Sequence, residues 1–195
     1  MIFIVACVGL FFMLYPSIEN AIVGAKHASV LSEWEDRKED LPGEEIYNDL
    51  TAKDFFPLKM PISKIDLEQI SYEGADTQTL NQGPEHIEET PPPDDNGRCT
   101  ISGHRTAYNL PFRKIDEFGK GDLIYPETMN GELFTYAVMG TDIVNPEDIY
   151  IPGGTRKREL LLTACEPEYS AVKRLVIIAE LLNLHPLELA AAESN

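Results

Sequence analysis

Of the three cysteines in this 195-residue chain, one stands where it could do chemistry. Cys165 closes an apolar run (ELLLTAC, 159–165) and precedes a polar turn (EPEYS, 166–170), the signature of a residue at a strand end. His104 occupies a similar boundary in TISGHR (100–105), behind Gly103, whose missing side chain permits close approach of backbone or ligand. A free thiol titrates near about 8.5, so a cysteine nucleophile at neutral pH needs a cation beside it. Arg174 is the candidate. If 160–165 and 172–179 form a hairpin with Cys165 opposite Val172, Arg174 lies two residues on and points to the same face; a slip of one residue would reverse that. Glu166 and Glu168 oppose a thiolate, so they must point away or be outweighed by a cation. Each residue also has a plain structural reading. A cysteine in an apolar strand is a small buried hydrophobe, a histidine at a strand end a hydrogen-bonded polar group, and an arginine a surface charge.

The elements that must hold these residues read as short strands. Apolar or alternating runs at 60–65, 69–72, 98–102, 123–127, 133–138, 160–165 and 173–179 are bounded by turn residues. Asp66, Leu67 and Glu68 form the first turn. Asn130-Gly131 is the strongest hairpin signal, because both residues accept positive φ. Residues 79–82 suit a helical turn, and 91–97 (PPPDDNG) a loop. So many strands in about 120 residues are most economically closed into a barrel, which removes exposed edges. The class is therefore mainly β.

In front of this body the composition changes twice. Residues 1–18 (MIFIVACVGLFFMLYPSI) carry no charge and are apolar on every side, which predicts a membrane anchor over 1–25. A cleaved signal peptide is the rival reading, and both readings want a basic flank that this start lacks. Residues 26–58 are acidic and polar, with Pro42-Gly43 as a breaker; they predict a solvated stalk, with a short polar helix over 28–39. The β body follows at 59–183 and a tail at 184–195. The 33 acids against 16 bases give a net charge of −17, which repels phosphate backbones and argues against a nucleic-acid partner. Cys7, Cys99 and Cys165 lack metal-ligand spacing, so neither a disulfide scaffold nor a zinc site is expected.

Several motifs then occur in one order: Tyr72-Glu73-Gly74, Gly83-Pro84-Glu85-His86, Ile101 through Thr106 (ISGHRT), Gly121-Asp122, and Cys165 with Arg174 nine positions later. In these, over about residues 60–182, the chain resembles the sortases, membrane-tethered cysteine transpeptidases of Gram-positive bacteria. Gly103 through Tyr108 (GHRTAY) with Pro111-Phe112, and Cys165 through Ala171 (CEPEYSA) leading to Arg174-Leu175, most resemble the class E enzymes of actinobacteria. Two departures stand out. The hydroxyl residue that the family usually carries before the nucleophile is Ala164 here, and Glu166 follows the nucleophile where class E relatives usually carry a non-acidic residue.

The resemblance implies a closed barrel of about eight strands with short helices, preceded by the membrane helix and stalk. It implies that Cys165 attacks the Thr-Gly carbonyl of an LPxTG or LAxTG sorting signal, that His104 is the general acid and base, and that Arg174 stabilises the oxyanion or holds the substrate. The acyl-enzyme passes to an amine of a lipid-linked cell-wall precursor. Tyr108 and Ala164 are the expected substrate contacts, and His86 a structural histidine. No cofactor and no metal are expected; Asp116, Glu117, Asp142 and Glu147 do not have the spacing of a calcium loop. The partners are surface proteins bearing the signal, the precursor amine and the membrane, with one N-terminal pass and an extracellular catalytic domain. The alternatives are a cysteine peptidase that releases to water, and a membrane-anchored peptide-binding module whose site has decayed.

Overall fold

The apolar N-terminal run and the start of the acidic segment form one helix. The computed structural model describes residues 2–39, 55–74, 77–107, 110–129, 131–149 and 155–186. In it α1 (Ile2–Glu39) continues through the junction at which the sequence predicts a change to a spacer. Residues 25–39 contain neither Gly nor Pro and are rich in Ala, Glu and Lys, so nothing stops the helix from propagating. Its first half leaves Ile4, Val8, Phe11, Phe12 and Leu14 exposed, whereas Trp34 near its end is buried. Lys26 Nζ donates to Gln82 Oε1 at 2.5 Å, so this half lies on the body and not apart from it as a solvated stalk would. Among the described residues no helix is long and apolar enough to cross a membrane, the span that the sequence predicts over 1–25. The rest of the predicted stalk, 40–54, lies outside the described residues.

The body is a closed β-barrel. Its strands are β1 (Leu58–Ile62), β2 (Leu67–Glu73), β3 (Glu85–His86), β4 (Gly97–Ser102), β5 (Leu123–Ile124), β6 (Glu127–Thr128), β7 (Glu132–Val144), β8 (Arg158–Glu166) and β9 (Lys173–Pro186). They form one sheet in the order β5-β7-β6-β1-β2-β3-β4-β8-β9, and β9 also pairs with β7. That last pairing closes a ring of eight, with β5 attached to β7. The closure leaves β8, which carries Cys165, between β4 and β9 and away from any edge. Its run from Leu160 to Ala164 is accordingly buried on both faces, as a strand rich in consecutive apolar residues must be. On β7, buried Phe134, Tyr136 and Val138 alternate with more exposed neighbours, the period of a strand with one face in the core.

Local chemistry sets the turns. Asp66 takes φ 54° between β1 and β2, and Gly131 takes φ 81° between β6 and β7, where the hairpin is predicted. Two strands outrun their expected ends. β7 reaches Val144, and β9 continues past the expected boundary at 183 to Pro186, pairing His185 with Leu133. His185, expected in the tail, is thus a strand residue.

Candidate active site

Three neighbouring strands bring the predicted residues to one end of the barrel. β4 and β8 run parallel, with Ser102 beside Thr163 as their last pair, and Gly103 N donates to Thr163 O at 3.0 Å. Extending this register by two residues puts His104, just beyond β4, level with Cys165. On the other flank β8 and β9 are antiparallel and Cys165 pairs directly with Arg174. Direct cross-strand partners share a face. The predicted pairing of Cys165 with Val172 is therefore wrong by two residues, and because the side-chain period is two, the predicted common face survives the correction.

Each side chain is held by something specific. An added Cβ on Gly103 would lie 2.5 Å from Phe112 Cδ2, and Phe112 N donates to His104 O at 3.0 Å, so the glycine lets the histidine loop pack against a buried ring. His104 is half-buried, and burial lowers its pKa below the usual imidazole value. Its Nε2 lies 3.1 Å from Asn81 Oδ1. Asn81 sits on the short helix α2 (Thr77–Gln82), the same helix that receives Lys26 from α1. Sequence reasoning reaches the helical turn but not the role of Asn81, because nothing in its spacing relates it to a histidine 23 residues away. Arg174 is half-exposed, and its Nη1 donates to Ala171 O at 3.0 Å and Lys173 O at 3.1 Å, which fixes the guanidinium against the turn. Cys165 itself is a free, partly exposed thiol.

The other cysteines differ in kind. Cys99 is buried on β4, and burial together with Glu73 drives its pKa upward, the state of an inert thiol. Cys7 is exposed on α1.

Of the two expected substrate contacts, Ala164 is described. Ala164 is 2% exposed and belongs to the hydrophobic core, because its neighbour Cys165 takes the opposite face of β8. Its methyl therefore packs inside the barrel. Tyr108 lies outside the described residues. Glu166 and Glu168, the acids that threatened the thiolate, are both ion-paired with Arg105: Nη1 holds Glu166 Oε2, and Nε lies 3.8 Å from Glu168 Oε1. His86 is 1% exposed, with Nδ1 2.9 Å from Glu73 Oε2, Nε2 3.0 Å from Thr90 Oγ1, and its ring stacked on Phe56 at 4.4 Å.

A cysteine, a histidine and an arginine at adjacent strand ends of a closed barrel can combine a nucleophile, a proton carrier and a fixed positive donor. The family model of the sortase domain matches residues 60–182, which include all three. The chain belongs to the sortase family. Sortase D of Bacillus subtilis (strain 168) is 38% identical to it over 122 residues, 60% of either chain. Sortase SrtE1 of Streptomyces coelicolor is 25% identical over 99 residues, 46% of this chain and 28% of the relative. The sortase therefore spans about 60% of the length of the first of these curated relatives and less than a third of the second. Among solved structures, Sortase C-3 of Streptococcus pneumoniae shares the fold with a TM-score of 0.66 at 23% identity, covering 90% of this chain and 88% of the other.

Proposed function

We propose that this sortase is a cysteine transpeptidase acting on an LPxTG or LAxTG type of sorting signal. The observation that supports the reading is the pairing of Cys165 with Arg174 on β9, with His104 two residues beyond the end of β4 on the other flank of β8. The Cys165 thiol passes its proton to His104 as its sulfur attacks the Thr carbonyl, and Arg174 stabilises the negative oxygen that forms. As the C–N bond to Gly breaks, His104 gives a proton to the departing amine. An amine of a cell-wall precursor, losing a proton to His104, then attacks the thioester, the C–S bond breaks and the thiolate returns. Burial that disfavours the charged imidazole makes His104 a ready proton donor to the leaving group and a carrier that does not stay charged.

The reading extends to the membrane. The exposed Ile4, Val5, Leu10, Phe12 and Met13, spread around α1, support an N-terminal anchor over residues 1–25, with the catalytic body outside the cell. Such a tether raises the effective concentration of the enzyme for both a membrane-bound signal and a lipid-linked acceptor. As to class, the loop motifs around His104 and Cys165 favour E, whereas the higher identity over a longer stretch favours D. We weight the identity and expect a D-like enzyme.

The test is mass spectrometry of the full chain in detergent with paired LPxTG and LAxTG peptides, with and without a glycine or diaminopimelate-type amine, beside Cys165→Ala. Ligation after Thr that requires the amine and Cys165 is the expected result. Cleavage without ligation supports a hydrolase, and the absence of any Cys165-dependent product supports a binding module.

A further inference from the structure

Glu166 directly follows the nucleophile, and Glu168 lies in the same turn. Two carboxylates so close to a sulfur that must carry negative charge would oppose it. Alternation along β8 sends the Glu166 side chain to the face opposite Cys165, and on that face it meets Arg105. The Arg105 side chain is 6% exposed. Its Nη1 holds Glu166 Oε2, its Nη2 lies 3.1 Å from Asp116 Oδ2, and its Nε lies 3.8 Å from Glu168 Oε1. Nε makes no hydrogen bond, so its link to Glu168 is charge alone. One buried guanidinium thus joins three segments: the loop that carries His104, the turn that follows Cys165, and the 3-10 turn Ile115–Glu117.

We propose that Arg105 is a positioning residue for the nucleophile, neutralising Glu166 and Glu168 and tying the turn after Cys165 to the loop that carries His104. It rests on the reading of Cys165 as the nucleophile. A guanidinium suits the task because its planar fork can meet several carboxylates at once and keeps its charge when buried; an ammonium meets fewer and is more costly to desolvate. The arrangement also explains how a sortase can carry an acid next to its cysteine. The charged groups on the elements around Cys165 are His104 from the end of β4, Arg174 and Lys173 from β9, Glu166 and Glu168 from its own turn, and Asp116 through Arg105. Of the cations, Arg105 is the one bonded to the flanking acids.

The test is the rate at which iodoacetamide alkylates Cys165, mapped by mass spectrometry between pH 5 and 9 in the full chain in detergent. The proteins compared are wild type, Arg105→Gln, Arg105→Lys, Glu166→Gln and the double variant Arg105→Gln/Glu166→Gln. Loss of Arg105 should slow alkylation at pH 7 by about tenfold or more and move the pH–rate profile toward alkaline pH, the direction two uncompensated carboxylates dictate. Arg105→Lys should fall between. Glu166→Gln alone should stay within about threefold of wild type, and the double variant should recover most of the loss, since removing the acid removes what the guanidinium was needed for. A folded Arg105→Gln protein with the wild-type profile overturns the proposal, as does a double variant no faster than Arg105→Gln, which would leave Arg105 a merely structural residue. If Arg105→Gln does not fold, the comparison of Arg105→Lys with Arg105→Lys/Glu166→Gln decides by the same criterion. A wild-type Cys165 that resists alkylation at every pH overturns the nucleophile reading itself.

Discussion

Two imidazoles of the barrel, those of His86 and His104, sit in opposite conditions, and the contrast bears on which of the two could move a proton. His86 is enclosed: a carboxylate on one nitrogen, a hydroxyl and the Pro91 carbonyl near the other, and an aromatic ring against its face. His104 is half-buried at the end of β4, level with a partly exposed thiol, and steadied by the amide of Asn81. Both stand in or just beyond short strands of one sheet, so secondary structure does not distinguish them. Access does. Every polar atom of His86 is engaged inside the fold, and it serves as a strut; His104 keeps a path to solvent and to a reacting group.

Substitution should split the two roles. The largest effect is expected for His104→Ala, which should lower amine-dependent ligation by about 10² to 10⁴ while leaving the melting curve near wild type; a loss of less than tenfold would contradict the assignment. Arg174→Lys should cost about a hundredfold in the same assay, because a point ammonium cannot reproduce a fork fixed against the Ala171 and Lys173 carbonyls. His86→Ala should do the reverse, costing about 3 kcal/mol in denaturant unfolding, since it opens a cavity and removes the partner of Glu73 Oε2. Its turnover per folded molecule should remain close to that of wild type. Asn81→Ala should reduce ligation about tenfold, with the loss in kcat, because a loosely held ring misplaces its proton. The smallest effect is a titration. Followed by NMR, the His104 ring should reach its midpoint below the ordinary value near about 6.5. Because the folded pKa is the lower one, its neutral form is compatible with full stability above the unfolded value, and stability is lost as pH falls through the folded value. His104→Gln should remove that loss, and a midpoint at or above the ordinary value would contradict the burial argument.

Much of this contrast is legible in residue order, and the rest depends on contacts across the chain. The boundary positions of His104 and Cys165 follow from apolar runs that stop at turn residues, and the Asn130-Gly131 hairpin from the local demand for positive φ. The common face of Cys165 and Arg174 follows from parity, which survives a two-residue error in pairing. The roles of Asn81 and Arg105 do not follow, because each acts on a segment far away in sequence through a contact that only the closed sheet creates. β3 was also out of reach: Glu85 and His86 are too few residues for any period to show. A change of composition sets the end of the predicted anchor, and α1 continues past it because helix propagation depends on the absence of breakers and not on polarity.

The parallel pairing of β4 with β8 carries a consequence for the order in which the molecule comes into being. Gly97 lies beside Arg158 and Ser102 beside Thr163, so this contact encloses some 60 residues of intervening chain. Loop closure on that scale, followed by the pairing of β7 with β9, makes slow, nonlocal steps of the kind that dominate the folding of β-barrels. The β8–β9 hairpin, which alone brings Arg174 to Cys165, is local and can form early. His104 joins them only when β4 docks. On the proposed mechanism, a chain still in the act of folding presents a cysteine without its proton carrier, and competence waits on the docking of β4.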